Sequence, residues 1–305
     1  MYLTGIDAVV FGVEDMDAAR IFLTDWGLTD AGSDAAALNF TTRDGCAVTV
    51  RPIGDPSLPP AMQEGSTLRQ VIWGVRDDAA MADLRDRLGD AAGAHGGMLA
   101  ATDPSGLSHG FRLRQRGEVV ADPQDVNGPG QHRRVDQRAQ FYDRARPITV
   151  GHVVLFVDNL AASQAFFTEK LGFVVSDSYP GHAAFLRCQT PGPHHHAFVL
   201  QRPGNPGLNH VAFTVSNIHE VFGGGLAMGR AGHETELGPG RHPISSAYFW
   251  YFKSPFGGAL EYYADDDWCT QAWEPREYER RPDLFAEWAI AGGIDGNTRR
   301  QARAA

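Results

Sequence analysis

The feature that most constrains the fold of this chain is an internal repeat. Residues 3–28 and 148–173 share one plan, in which an apolar strand leads into a helix with an aromatic apolar face and then a glycine. Aligned on those glycines, the two segments are offset by 145 residues. Two further pairs of segments match, the first at 68–88 and 208–226 and the second at 103–113 and 254–263. A chain that carries one plan twice is expected to fold as two related halves.

Each half divides again into two modules. In each module a strand rich in Val, Ile and Phe leads into an amphipathic helix and then into further short strands. Four βαβββ modules in two paired repeats predict an α+β fold, in which each half is a curved mixed sheet that encloses a cavity. The polar, Pro- and Gly-rich stretch 121–147 is typical of a linker. It separates an N-terminal domain at 1–120 from a C-terminal domain at 148–264, and a tail at 265–305 is expected to be partly helical.

The composition is that of a globular protein with a sizeable core. Over 305 residues it is 43% hydrophobic and 21% charged, with a formal net charge of -10. Because no Lys/Arg stripe stands out, nucleic acid is not an expected partner. No apolar run approaches the ~20 residues of a membrane span, and the acidic start does not resemble a signal peptide. Three widely spaced cysteines argue against a disulfide framework and favour a cytoplasmic location.

The two halves differ at three matching positions. The second half carries two histidines and a glutamate there, namely His152, His210 and Glu261. The first half carries Asp7, Gln70 and Gly110, which could not make the same site. Two imidazoles and one carboxylate on one face of a metal are the ligand set of non-haem Fe(II) enzymes. The sequence therefore predicts a metal site in the C-terminal half and a metal-free N-terminal half.

The three candidate ligands lie inside the apolar runs GHVVLFV, NHVAFTV and GALEYY. A glutamate in such a strand is costly to bury unless a cation or a hydrogen-bond donor compensates its charge. Any one of the three residues alone is adequately explained as part of the core or of a sheet edge. All three together, at repeat positions whose other copy lacks them, favour the metal site.

The residues around this triad resemble those of a known family. The segment GRHPISSAYFWYFKSPFGGALE, residues 240–261, runs from a Gly-x-His through a Tyr to a Pro, a Gly and the Glu. Together with the two ligand histidines, this pattern resembles the catalytic domain of type I extradiol ring-cleaving dioxygenases, in the vicinal oxygen chelate superfamily. Apart from its tail, the chain also resembles their two-domain plan. Trp250 and Ser254 depart from the family pattern, which points to an unusual substrate pocket.

The resemblance implies that the triad holds Fe(II), with Mn(II) as the alternative metal, and that the substrates are a catechol and O2. His242 and Tyr251 would then hydrogen-bond the catechol oxygens. One histidine of the run Pro193-His194-His195-His196 would serve as the acid/base. The family spacing from His210 favours His195, whereas strand parity favours His196. We prefer His196, because strand parity constrains the direction of a side chain more than loop length does. The product would be a ring-opened hydroxymuconate-type semialdehyde or ketone.

Two other functions stay open at this stage. A glyoxalase-like isomerase, epimerase or lyase of the same superfamily would use a metal as well, generally with four protein ligands. A non-catalytic protein that binds an aromatic compound would not need the ligands that are present. The resemblance further implies a homo-oligomer, and it leaves open whether the catechol has one ring or two.

Overall fold

A computed structural model describes residues 2–121 and 126–292. Within these ranges no helix is both long and apolar enough to cross a membrane. Parallel and antiparallel strand pairs occur together in two large sheets, one in each half of the chain. The predicted α+β class, with a mixed sheet in each half, is confirmed.

The first half builds its sheet in the order β2-β3-β4-β1-β5-β8-β7-β6. Its strands are β1 (Leu3–Val13), β2 (Thr29–Asp30), β3 (Leu38–Thr41), β4 (Ala47–Pro52), β5 (Thr67–Val75), β6 (Gly93–His95), β7 (Met98–Thr102) and β8 (Ser108–Leu113). Its helices are α1 (Met16–Asp25), α2 (Asp78–Leu88) and a 3-10 turn at Gly89–Ala91.

The second half repeats this plan. Its strands are β9 (Thr149–Val157), β10 (Val174–Tyr179), β11 (Ala183–Arg187), β12 (Gly192–Pro193), β13 (Ala197–Gln201), β14 (Gly207–Thr214), β15 (Thr235–Arg241), β16 (Tyr248–Lys253) and β17 (Ala259–Ala264). Its helices are α3 (Leu160–Ala165), continued by a π-helical turn at Phe166–Lys170, and α4 (Ile218–Arg230). The central order β10-β11-β13-β9-β14-β17-β16-β15 matches that of the first half.

The tail adds further short elements, namely β18 (Trp268–Cys269), β19 (Arg276–Glu277), α5 (Pro282–Phe285) and β20 (Trp288–Gly292). Strands β19 and β20 extend the two edges of the second sheet, beside β10 and β15, and β18 pairs with β12. The sequence pattern does not predict these strands. The end of the predicted tail, residues 293–305, lies outside the described residues. The predicted boundaries of the domains, linker and tail stay predictions.

The same cap begins each of the four main helices. A side chain just before the helix accepts a hydrogen bond from a backbone N–H of the first turn, which satisfies one donor that the helix itself leaves free. The caps are Asp15, Asp77, Asn159 and Asn217. Each strand-to-helix corner of the four modules is therefore closed in the same way.

Strand register shows which positions of the two halves correspond. Strand β5 bulges at Arg69 against β1, and β14 bulges at Asn209 against β9. The next residues, Gln70 and His210, each pair with a valine of the central strand. The predicted equivalence of Gln70 and His210 is confirmed by this shared bulge.

The same register corrects one predicted equivalence. Counting along the central strands from the shared position makes Ala8, and not Asp7, the counterpart of His152. Asp7 lies in a bulge of β1, at the place where β9 bulges at Gly151. The predicted match of Asp7 with His152 is therefore wrong by one residue, because an alignment of apolar patterns cannot detect where a strand bulges.

A shared core joins the two halves. Trp26, which follows α1, stacks on Tyr262 of β17, with ring centroids 3.6 Å apart and an interplanar angle of 13°. The Tyr262 hydroxyl donates a hydrogen bond to the Trp26 carbonyl at 2.8 Å. Both side chains are fully buried. The strand that carries Glu261 is thus fixed against the first half as well as against its own sheet neighbours.

Candidate metal centre

Three neighbouring strands bring the predicted ligands together. Strands β9, β14 and β17 are adjacent in the sheet, and Ala212 of β14 pairs with both His152 and Glu261. His210 lies two residues before Ala212. Residues that pair across neighbouring strands point to the same face of the sheet, and so do residues two apart in one strand. His210 therefore lies on the same face as His152 and Glu261. The three ligand atoms lie within 4.8 Å of one another.

The distances within this triad suit one metal ion. Glu261 Oε2 lies 3.3 Å from His152 Nε2 and 3.1 Å from His210 Nε2, and the two imidazole nitrogens are 3.4 Å apart. Ligand atoms at about 2.1 Å from a common ion are about 3.0 Å apart in octahedral geometry and about 3.4 Å apart in tetrahedral geometry. Glu261 Oε2 is buried and has no hydrogen-bond partner among the described residues. The donor set therefore fits a divalent metal.

The charge state of the triad also suits a cation. Burial alone would favour the neutral acid, but His152, His210 and His242 hold the pKa of Glu261 well below its ordinary value. Burial lowers the pKa of His152, although the nearby glutamate opposes this shift. The site thus offers one carboxylate and a neutral imidazole, the forms in which these side chains bind metals.

His242 and Tyr251 stand beside the triad. The carbonyl oxygen of Phe285 can only accept a hydrogen bond, so His242 Nδ1, 2.6 Å away, carries a proton and donates it. His242 Nε2 then accepts from the Tyr251 hydroxyl at 3.0 Å and lies 3.8 Å from Glu261 Oε1. Burial, and then the charge of Glu261, raise the pKa of Tyr251 well above its ordinary value, so its hydroxyl keeps the proton. The predicted pair is at the metal centre.

His195 reaches the same place from the loop before β13. Its ring centroid lies 4.1 Å from that of His152, and its ring packs edge-on against Phe185. Burial, and next the neighbouring His152, lower the pKa of His195 well below its ordinary value, so the ring is neutral at pH 7. The structure brings His195 to the cavity beside the triad.

His196 points the other way, which corrects the preference for it. Its Nδ1 accepts a hydrogen bond from the Cys188 backbone at 3.3 Å, and a methyl group at Gly5 of β1 would lie 3.5 Å from its ring. Burial, and then Arg116, lower the pKa of His196 to about 3. Strand parity failed here because β13 begins only at Ala197, so its regular alternation does not extend back to His196.

A small cavity of about 50 Å³ opens from the triad. Its metal end is polar, and its far end is lined by apolar and aromatic side chains. These are Val154, Tyr179, Phe185, Phe198, Ile244 and Leu284. Such a shape suits a ligand with a metal-binding polar edge and an apolar body.

Several residues of the cavity wall carry no sequence signal for a site, and three of them come from the tail and from a constrained loop. Leu284 and Phe285 belong to α5 in the tail, and Ser245 follows His242 in a loop where Ser245 and Ser246 have φ angles of 75° and 61°. Positive φ is uncommon outside glycine and marks a constrained turn. The sequence signal for Leu284 and Phe285 was an apolar segment in the tail after the last module. No sequence pattern predicts a positive φ angle at a serine.

Trp250 does not give the cavity an unusual wall. It packs on α4 at Gly225, where an added Cβ would overlap its indole ring, and its Nε1 donates to Thr235 at 2.9 Å. The departure from the family pattern is thus accommodated by a glycine on the neighbouring helix. The expectation of an unusual pocket from this residue is wrong.

The first half carries no comparable cluster among the described residues. At the corresponding positions, Gln70 donates a hydrogen bond to the Ser108 hydroxyl at 3.0 Å, and Ala8 and Gly110 offer no ligand atom. Asp7 is neutralised by Arg112 at 2.5 Å and by Arg116 at 3.2 Å. Within the described residues, the metal site is confined to the second half.

Comparison with known proteins agrees with this geometry. A family model described as the Glyoxalase/Bleomycin resistance protein/Dioxygenase superfamily matches residues 149–262. The chain is 32% identical over 162 residues to Metapyrocatechase 2 of Cupriavidus necator, a match covering 52% of this chain and 50% of that protein. It is 31% identical over 119 residues to 2,2',3-trihydroxybiphenyl dioxygenase of Sphingomonas paucimobilis, covering 37% and 40% respectively. The matches thus span about half the length of these curated relatives or less.

Several solved structures resemble nearly the whole chain in fold. The Mn(II)-bound glyoxalase from Novosphingobium aromaticivorans superposes with a TM-score of 0.75 at 25% identity. The match covers 96% of this chain and 93% of that one. The family match includes all three residues of the triad, and the structural match extends over both halves. Residues 149–262 therefore resemble the Glyoxalase/Bleomycin resistance protein/Dioxygenase superfamily in sequence.

Proposed function

We propose that this chain cleaves the ring of a catechol with O2, at a single Fe(II) held by His152, His210 and Glu261. The observation that carries the proposal is the grouping of this triad with His195, His242 and Tyr251 at the polar end of an apolar cavity. The names of the curated relatives, Metapyrocatechase 2 among them, support the same reaction class.

His152, His210 and Glu261 would hold Fe(II), which when bound would supply a binding site for a catechol and O2 and a path for electron density between them. Mn(II) is the alternative occupant, supported by the Mn(II)-bound glyoxalase that this chain resembles. The apolar end of the cavity holds the ring and its substituents away from water. The homo-oligomer and the cytoplasmic location expected from the sequence stay predictions.

His242 and Tyr251 orient the catechol. Because His242 Nδ1 donates to the Phe285 carbonyl, its Nε2 is an acceptor, and a catechol hydroxyl that displaces the Tyr251 hydroxyl would donate to Nε2 instead. The Tyr251 hydroxyl keeps its proton and donates to a catechol oxygen. His242 Nε2 would accept from the catechol oxygen that keeps its proton, and Tyr251 would donate to the oxygen that has lost it. This pair of groups, 3.0 Å apart, thus favours a catechol that has lost a single proton.

His195 supplies the acid/base group on the other side of the triad. As a neutral imidazole it takes a proton, and it returns that proton when the ring-opened product forms. The carbon–carbon bond beside the diol breaks, and both atoms of O2 enter the product, one in a carboxylate and one in a carbonyl. The stoichiometry therefore needs no external reductant.

Oxygen uptake with a panel of catechols tests this function. The protein is purified anaerobically, loaded with Fe(II), and mixed with one-ring and two-ring catechols in air-saturated buffer. We expect oxygen consumption and a coloured ring-fission product with at least one member of the panel. Absence of oxygen uptake from the entire panel, with one Fe(II) bound per chain, would reject the function.

A glyoxalase-like isomerase is the second candidate, because the Mn(II)-bound glyoxalase resembles nearly the whole chain. Such enzymes generally use four protein ligands, whereas the metal cluster among the described residues has three. The Mn(II)-loaded protein should therefore leave the hemithioacetal of glutathione and methylglyoxal unchanged. Turnover of that adduct without oxygen uptake would favour the isomerase.

A further inference from the structure

A chain of hydrogen bonds leads away from His195 into the protein. His195 Nδ1 lies 3.2 Å from His194 Nδ1, and His194 Nε2 lies 2.8 Å from Asp177 Oδ2. All three side chains are buried. His194 and Asp177 do not line the cavity, and the family pattern that identified the metal site did not involve Asp177.

The Asp177 carboxylate at one end determines where the protons lie along these hydrogen bonds. The carboxylate of Asp177 can only accept, so His194 Nε2 carries a proton and donates it. When this is the one proton on the His194 ring, Nδ1 has a lone pair and can only accept. His195 Nδ1 must therefore carry the proton between the two rings. Its Nε2, which has no hydrogen-bond partner among the described residues, is left with a lone pair at the cavity.

We propose that Asp177 is a positioning residue that acts through His194 to hold His195 in the tautomer with an unprotonated Nε2. The catalytic meaning of this tautomer rests on the proposed function, but the tautomer itself does not. In this form His195 can take the proton of a catechol hydroxyl, with the O–H bond breaking and an Nε2–H bond forming. The opposite tautomer would point an N–H at the cavity and could not accept that proton.

The tail holds Asp177 in place for this role. The backbone N–H of Arg276 in β19 donates to Asp177 Oδ1 at 2.7 Å, which leaves Oδ2 for His194. Trp273 packs edge-on against the His194 ring at 5.6 Å, and its Nε1 donates to the Ser176 carbonyl at 3.0 Å. Because the tail contacts both Asp177 and His194, it holds the two side chains in the orientation in which they hydrogen-bond each other.

Ring nitrogen chemical shifts of 15N-histidine-labelled, full-length protein test the proposal. The metal-free protein and a Zn2+-loaded sample, both diamagnetic, are measured at pH 7.5, and a His195→Gln variant assigns the signals. In the wild type we expect a protonated, pyrrole-like Nδ1 and an unprotonated, pyridine-like Nε2 for His195. The reverse pattern in the wild type would overturn the proposal, whatever any variant does.

Asp177→Asn gives the sharpest perturbation. An asparagine can turn its amide N–H toward His194 Nε2, which moves the His194 proton to Nδ1 and the His195 proton to Nε2. We expect the two His195 shifts to exchange character and oxygen uptake to fall about 10²- to 10⁴-fold, the range for losing a general base. Asp177→Glu keeps a carboxylate and is expected to restore the wild-type tautomer.

The first half offers a matched control. Asp103 and His109 form a second buried pair at 3.3 Å, and neither residue lines the cavity. Asp103→Asn makes the same chemical change and should leave the His195 shifts and the oxygen uptake unchanged. If Asp177→Asn folds and His195 keeps its wild-type shifts, the proposal is overturned. Wild-type shifts as expected, with no oxygen uptake from any catechol, would reject the proposed function and leave the tautomer assignment standing.

Discussion

A single methyl group beside the metal centre should disturb both the fold and the site. Gly151 occupies the bulge of β9 just before His152. A Cβ built there would overlap the Tyr263 hydroxyl and would lie 2.7 Å from Thr214 Oγ1. The Tyr263 ring in turn packs 4.8 Å from the His152 ring. Gly151→Ala must therefore move a residue that contacts a metal ligand.

The expected magnitude follows from these contacts. Overpacking a buried site costs about 1–3 kcal/mol, and losing the 2.8 Å hydrogen bond from Thr214 to Tyr263 costs about 1 kcal/mol more. We expect the free energy of unfolding to fall by about 2–4 kcal/mol. Because the Tyr263 ring supports His152, the affinity for Mn2+ should fall about 10- to 100-fold.

Urea denaturation followed by tryptophan fluorescence and Mn2+ titration calorimetry measure the two effects. Tyr263→Phe removes the overlapping oxygen, so the double variant should be more stable than additivity predicts by about 0.5–3 kcal/mol. Gly229→Ala in α4 is the control. Its methyl group meets nothing within 4 Å, so it should be neutral or stabilising by up to about 1 kcal/mol. A Gly151→Ala protein with wild-type stability and Mn2+ affinity would show that the bulge of β9 tolerates a side chain without moving Tyr263.

Three further outcomes are expected. Mn2+ at one hundred times its Kd should stabilise the wild type by about 2.7 kcal/mol, which for the unfolding entropy of a 305-residue protein raises the Tm by about 4 °C. Glu261→Ala should abolish this shift, and an equal shift in both proteins would place the metal elsewhere. In oxygen-uptake assays His195→Gln should lose about 10²- to 10⁴-fold and His196→Gln less than about 10-fold, and the opposite ranking would restore His196 as the acid/base. Tyr262→Phe, which loses the hydrogen bond to the Trp26 carbonyl, should cost about 1–2 kcal/mol in urea denaturation, and an unchanged midpoint would show that this buried bond contributes nothing.

The repeat predicted much of the fold because its signal is long and periodic. Each half places its strands in the same order, and Gln70 and His210 follow the same bulge. The triad was also predictable, since buried polar residues stand out in apolar strands and their register is set by neighbouring strands. The one-residue error at Asp7 arose because a bulge shifts the register without changing the apolar pattern.

The parts that the sequence could not predict depend on contacts between distant segments. Strand parity pointed to His196, but the loop before β13 turns His195 to the cavity instead. The tail wall at Phe285 and the contact of Arg276 with Asp177 join residues roughly 40 and 100 positions apart, with no pattern linking them. The two-residue strands of the tail are too short for periodicity to reveal.

Product analysis after a single aerobic incubation distinguishes ring cleavage from other reactions of a catechol. The Fe(II)-loaded protein is mixed with a catechol that supports oxygen uptake, and the product is examined by mass spectrometry and visible absorption. Ring cleavage at the triad predicts a product heavier than the catechol by one O2 molecule, with the visible absorption of a ring-opened semialdehyde or ketone. A product of unchanged mass, or a quinone formed equally well by the Glu261→Ala protein, would contradict it.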